Sequence, residues 1–249
     1  MKVLGIDMAS QPRKTAACRI DTAGAAAPRV VSIDDDLTND ALVQLVDGCT
    51  WVGIDAPFGW PRPFVEAIAG WSNGHAWPSH DRNGRPMTLR WTDVFVQRAT
   101  GRRPLSVSAD RIAYTAMRTA ALLTSLQARP DGRGTWTTPT GVQVVEVYPA
   151  GTLQALALST RGYKAAGAGD LRAQVGAAIA ERWSVEAPGA DVRRTDDTFD
   201  AWVAALTAWR AALGRTHVPR HDLHADGGWI HLPEEADVDP ACWDLLDVT

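Results

Sequence analysis

The chain has 249 residues, 45% of them hydrophobic and 22% charged, with a net charge of −4. That balance fits one large α/β domain or two small ones, and a chain of this length buries enough surface to fold without disulfides or a structural metal. It excludes a protein that coats nucleic acid non-specifically, while leaving room for a local basic patch.

Val3-Leu4-Gly5-Ile6 predicts a buried strand ending at Asp7. Residues 15–20 and 29–33 predict two more, and Asp21, Gly24 and Pro28 between them suit an antiparallel meander. Thr38 or Asn39 caps a short helix through Asp47, with Gly48 as its stop. Trp51-Val52-Gly53-Ile54 predicts the next strand, ending at Asp55, and Pro57 takes the chain out of the sheet. The order strand, strand, strand, helix, strand is the opening of a ribonuclease-H-like mixed sheet, three antiparallel strands followed by parallel ones. Residues 71–108 carry Asn73-Gly74, Pro78, Asn83-Gly84, Pro86, Gly101 and Pro104 without clear periodicity. They read as an irregular insertion over one edge of a single domain spanning 1–249. Helical periodicity returns over 109–128 through Ile112, Met117, Leu122, Leu123 and Leu126. Residues 142–147 predict a further strand, stopped by Tyr148-Pro149. Helices are expected over 150–158, 170–183 and 197–213, and a short late strand over 228–232.

Asp7 and Asp55 occupy equivalent places, each after Gly-Ile and each closing an apolar strand. Ligands in open α/β sheets bind beyond the carboxyl ends of strands, and two acids converging there repel unless a cation such as Mg²⁺ or Mn²⁺ sits between them. An Asp in such a place also serves to start a turn, but two at matching positions point to a site. Asp197 and Asp200 are spaced i, i+3 and share one helix face, with Ala201, Ala204 and Ala208 continuing it so that the helix can approach a sheet. The bland reading is that acids here favour a helix start, which suits Asp196 best. Alternation sets Glu146 on the face opposite Val145 and Val147, where it serves either as a further metal ligand or as the partner of an arginine.

Residues 82–118 hold Arg82, Arg85, Arg90, Arg98, Arg102, Arg103, Arg111 and Arg118 against Asp81, Asp93 and Asp110, a local excess of five positive charges. That suits bidentate phosphate contacts, and Trp60, Trp71, Trp77 or Trp91 nearby offers a face on which a base can stack. The competing reading packs the tryptophans in the core and pairs the arginines with acids. Lys164 is either a phosphate contact or a surface lysine. His217, His221 and His224 resemble a metal set in spacing, but Pro219 interrupts any helix and a plain loop is favoured. Neither GxxxxGK[ST], GxGxxG nor GxSxG is present. Cys18, Cys49 and Cys242 show no CxxC spacing and cannot all pair. This fits a reducing, cytoplasmic setting, as does the lack of a signal peptide or an apolar run of membrane-spanning length.

These residues together resemble the domain-of-unknown-function 429 family, described as predicted nucleases with a ribonuclease-H fold. The matching pieces are Gly5-Ile6-Asp7, Gly53-Ile54-Asp55-Ala56-Pro57-Phe58-Gly59, Arg90-Trp91-Thr92-Asp93, Val145-Glu146-Val147-Tyr148-Pro149, Tyr163-Lys164 and Asp196-Asp197-Thr198-Phe199-Asp200-Ala201. The resemblance implies that acids on the first strand, the fourth strand and a late helix bind two divalent ions, Mg²⁺ or Mn²⁺. Asp7, Asp55 and Asp197/Asp200 match that layout, and the helical pair looks most like that of RuvC-type resolvases. The expectation is a phosphodiesterase acting on nucleic acid or a nucleotide. Asp7 would bridge both ions, Asp55 and Asp200 would each favour one, Asp197 would bind or orient water, and Arg82, Arg85, Arg90, Arg102 and Arg103 would hold phosphates. Two alternatives stay open: a binding protein that keeps the fold without catalysis, and an actin-like ATPase or kinase relative. The second normally carries two copies of the core and glycine-rich phosphate loops, whereas here Met8-Ala9-Ser10 follows Asp7.

Overall fold

The first apolar run becomes β1 (Lys2–Asp7), which pairs antiparallel with β2 (Ala16–Asp21) and parallel with β4 (Trp51–Asp55) in a computed structural model of the chain. The structure describes residues 1–23, 27–78, 85–221, 227–236, 238–240 and 243, with the side chains of 85 and 86 excepted. β2 pairs antiparallel with β3 (Arg29–Asp35), and β4 pairs parallel with β7 (Gln143–Glu146). Two short antiparallel strands, β5 (Arg129–Pro130) and β6 (Thr135–Thr137), complete a seven-stranded sheet of order β3-β2-β1-β4-β7-β6-β5. This is the ribonuclease-H-like mixed sheet, antiparallel on one side of β1 and parallel on the other as far as β7.

Helices cover both faces. On one lie α1 (Asn39–Val46) and α5 (Ala113–Ser125), whose Leu42, Val46, Leu122 and Leu123 pack on Leu4, Ile6, Val52, Ile54 and Val144. Each of these large side chains contributes about 1.5–3 kcal/mol by leaving water. On the other lies α8 (Asp196–Ala212), opened by Thr195, whose hydroxyl accepts from the Thr198 amide. It runs across β1, β2 and β4 so closely that a side chain on two of their glycines would collide with it. A Cβ at Gly5 would sit 2.1 Å from the Ala201 carbonyl oxygen and the Ala205 nitrogen, and one at Gly53 would sit 2.6 Å from the Ala204 carbonyl oxygen. The Gly-Ile-Asp repeat is therefore a packing device as well as a source of acids. α6 (Pro149–Ala155) and α7 (Gly169–Trp183) fill the remaining space beside α8.

The stretch 71–108 is more ordered than its punctuation suggested. α2 (Arg62–Ser72) runs into it, and α3 (Arg85–Thr88) and α4 (Trp91–Thr100) lie within it. The start of α4 is fixed when the Asp93 carboxylate accepts from the Arg90 amide at 2.8 Å, and its Phe95 and Val96 are fully buried beside Trp229 and Leu232. Trp91 and Ala99, one turn to either side of Phe95, pack against the same cluster. The predicted strand at 228–232 forms only an isolated parallel bridge from Ile230 to Glu146. Among the described residues no helix is long and apolar enough to cross a membrane.

Candidate metal centre

Alternation along the strands decides which side chains meet α8. Val3, Gly5 and Asp7 share the face of β1 toward α8, while Leu4 and Ile6 belong to the opposite core. β4 runs in register with β1, Gly53 beside Gly5 and Asp55 beside Asp7. Both carboxylates thus leave the ends of adjacent parallel strands on the same face. Asp200, immediately before the Ala201 that contacts Gly5, comes down from α8 to meet them. One carboxylate oxygen from each of Asp7, Asp55 and Asp200 lies within 4.8 Å of the others, and this is the only such group of acids, His or Cys among the described residues. Asp200 is fully buried and the other two partly so.

The electrostatics are strained. Burial, and then the charges of Asp200 and Asp55, push the Asp7 carboxyl well above the usual carboxylate range. Burial pushes Asp55 up to about 7, with Asp200 and Glu146 adding and Lys164 opposing. Asp200 is also raised by burial, against the opposing pull of Lys164 and a hydrogen bond from Tyr163. The Tyr163 hydroxyl donates to Asp200 Oδ1 at 3.0 Å, and Lys164 Nζ lies 2.5 Å from Asp200 Oδ2. Burial works to lower the Lys164 pKa, but Asp200, Tyr163 and Asp55 raise it overall and keep it an ammonium. Three acids against one ammonium leave a negative deficit. The donor set is all carboxylate oxygen, which suits a hard cation such as Mg²⁺ or Mn²⁺ and not a thiolate- or imidazole-seeking one. Asp7 and Asp55 open into a cleft of about 470 Å³ that Arg102, Arg103, Tyr148 and Lys164 also line.

The sequence profile described as "Protein of unknown function (DUF429)" matches residues 5–224. The chain belongs to this family. No curated protein matches it. Among solved structures, the DUF429 chain is similar to "T. thermophilus RuvC in complex with Holliday junction substrate", at 13% identity and a TM-score of 0.40, covering 86% of this chain and 97% of that one. It is also similar to "Thermus thermophilus RuvC structure", at 15% identity and a TM-score of 0.35, with the same coverage. Likenesses this distant say nothing about activity.

The DUF429 protein's other predicted site residues fall in different places. Asp197 lies outside the triad, one turn nearer the start of α8, with its Oδ2 3.7 Å from Lys14 Nζ. Glu146 also stands apart from the triad. Val145 and Val147 take the face toward α8, so alternation turns Glu146 to the opposite face. There its Oε1 and Oε2 accept from Arg90 at 2.8 and 2.9 Å, and Oε2 accepts from the Phe58 amide at 3.0 Å. Arg90, expected on phosphate, is 3% exposed, and its guanidinium is spent on Glu146, Asp93 and the Gly227 carbonyl. Arg102 Nε donates to the Tyr148 hydroxyl at 2.9 Å, its Nη1 donates to Thr160, and it lines the cleft beside the exposed Arg103. Arg118 donates to the Ala9 and Leu37 carbonyls away from that rim. Arg82 lies outside the described residues, as does the side chain of Arg85. Trp60, Trp71, Trp77 and Trp91 do not line the cleft, and Trp71 packs edge-on against Trp77. Of the histidine set, His217 contacts the Ala236 carbonyl and Phe95, and His224 lies outside the described residues. Cys18 and Cys49 are buried and unbridged. Sequence reasoning assigned Tyr163 no role, and its only trace was its place beside Lys164.

Proposed function

We propose that this DUF429 protein is a metal-dependent phosphodiesterase acting on a nucleic acid or a nucleotide. The observation that carries the reading is the convergence of the Asp7, Asp55 and Asp200 carboxylates at the ends of two parallel strands. These three would hold Mg²⁺ or Mn²⁺, which when bound acidifies water and offsets charge on the leaving oxygen. The protein's own part is positioning. Asp7 and Asp55 are set by rigid strands, and the burial of Asp200 removes competing water from its carboxylate. Arg103 at the exposed rim and Arg102, braced by Tyr148 and Thr160, supply positive groups for phosphate oxygens. Pro104, Leu105 and Ile112 give the same cleft an apolar wall for a nucleoside. Asp197, partly exposed one turn out from Asp200, serves to orient water. The unbridged Cys18 and Cys49 support a reducing, cytoplasmic location.

Incubation of the purified protein with Mg²⁺ or Mn²⁺, labelled oligonucleotides and a chromogenic phosphodiester tests the activity. Cleavage should require the ion, stop with chelator and fall on the order of 100-fold or more in Asp7→Asn. Tight oligonucleotide binding with no cleavage under either ion would instead favour the non-catalytic binding protein.

A further inference from the structure

We infer that Lys164 stands where a second cation would otherwise sit, so that the centre takes a single divalent ion, held chiefly between Asp7 and Asp55. The inference rests on the metal-centre reading above and replaces the two-ion arrangement expected from the family resemblance. It begins with Asp200. That carboxylate is 0% exposed, and each of its oxygens already has a protein partner, the Tyr163 hydroxyl on Oδ1 and the Lys164 ammonium on Oδ2. A second ion ligated by Asp200 would have to displace a charge-assisted contact of 2.5 Å or crowd against that ammonium on the same carboxylate.

Charge points the same way. With all three acids ionised the triad carries three negative charges, and Lys164 cancels one of them. The remainder matches one divalent ion. Two ions would leave the pocket with excess positive charge before any phosphate arrived.

Lys164 is also held in place from behind. Tyr163 is 1% exposed, and its backbone carbonyl accepts from Arg172 Nη1 at 2.7 Å. Arg172 is itself buried and donates to the Arg193 and Arg194 carbonyls, which lead into α8. The lysine is therefore tied to the same helix that carries Asp200. An ammonium fixed there donates hydrogen bonds to phosphate oxygens but offers no ligand position to water. The two cations then divide the work: the divalent ion acts on the Asp7 and Asp55 side, and Lys164 offsets phosphate charge on the Asp200 side.

Mn²⁺ titration calorimetry and electron paramagnetic resonance test this, each with and without millimolar thymidine monophosphate to supply a phosphate. Wild type should bind one Mn²⁺ per chain in both conditions and give the spectrum of an isolated ion. Lys164→Arg should keep that count. Lys164→Met, at a side chain 51% exposed, should admit a second ion when the nucleotide is present and show spin coupling between the two. Two ions in wild type, with or without nucleotide, would overturn the inference while leaving the metal centre standing, and this count depends on no variant folding. A count of one in folded Lys164→Met would overturn it as well. If wild type bound no Mn²⁺ in either condition, the metal centre itself would fall, and the inference with it.

Discussion

Two clusters of charge border the same cleft from opposite faces of the sheet, and their difference separates structure from function. In one, Arg90, Asp93 and Glu146 are each no more than 3% exposed. There Nη2 of Arg90 reaches Asp93 at 2.9 Å and Glu146 at 2.8 Å, while the Arg90 and Phe58 amides satisfy further carboxylate oxygens. Nothing in that cluster waits for a ligand, and it ties β7 to α4 and to Gly227. In the other, Asp7, Asp55 and Asp200 share one ammonium, and burial holds their pKa values high. Similar residue types serve opposite ends because one set is fully hydrogen-bonded and the other is short of positive charge.

The sharpest way to break this comparison is to remove a cation from the paired cluster. Arg90→Met leaves two carboxylates buried without their partner and should cost about 3–5 kcal/mol, a fall in Tm on the order of 10 °C for a chain this size. Asp7→Asn should leave the metal-free protein as stable as wild type or more so, because it relieves repulsion. Chemical denaturation of both variants reads the contrast, and equal losses would erase it.

Metal should produce the next largest effect. An ion that binds only the folded state stabilises by about 2.7 kcal/mol at a hundred times its Kd. Thermal melts across a Mn²⁺ series should rise for wild type and stay flat for Asp7→Asn and Asp55→Asn. Glu146→Gln should be less stable throughout yet keep its metal response, since its carboxylate lies on the other face. A flat wild-type series to millimolar Mn²⁺ would count against the centre.

A smaller effect lies in pH. The folded triad binds protons more tightly than the unfolded chain does, so its contribution to stability is present at acid pH. It is lost as pH rises from about 4 through about 7, where Asp55 ionises. His231 runs the other way, because burial pushes it down to about 4 and its contribution is lost as pH falls below the usual histidine value. Comparing metal-free wild type with Asp55→Asn removes the histidine from the difference. Wild type should fall progressively behind the variant across that window, and a constant gap would show that Asp55 titrates normally.

The faintest predicted effect belongs to the rim. Lys14→Ala breaks a largely exposed pair 3.7 Å long and should change stability by less than about 1 kcal/mol. Asp197→Asn should weaken Mn²⁺ binding far less than Asp55→Asn. Equal losses in a calorimetric titration would move Asp197 into the ligand set.

How much of this could be read from sequence depended on what each residue touches. The sheet was legible because β1 and β4 carry uninterrupted apolar runs, and because Gly5 and Gly53 repeat ahead of Asp7 and Asp55. The two- and three-residue strands β5 and β6 left no pattern to read. On α8 the i, i+3 spacing correctly suggested one face for Asp197 and Asp200, but spacing carries no information on depth, and depth separates a fully buried acid from one that meets Lys14. For Glu146 alternation showed that it opposes its valine neighbours. It could not show that α8 packs on the valines' side. Arg90 was drawn into a phosphate surface by its neighbours in sequence, whereas its true partners are Asp93, one helical turn on, and Glu146, 56 positions away. Lys164 reaches Asp200 from the segment between α6 and α7, a contact no local pattern encodes.

The near-contact of Gly5 and Gly53 with α8 also has a consequence in time. The three carboxylates sit at positions 7, 55 and 200, so the chain must close its longest loop before they meet, and closure is possible only because two strands offer bare backbone to the arriving helix. During synthesis the first two acids are made early, and the triad is complete only when α8 emerges and docks. If the triad holds an ion, as proposed, a chain truncated before residue 196 should take none at this site.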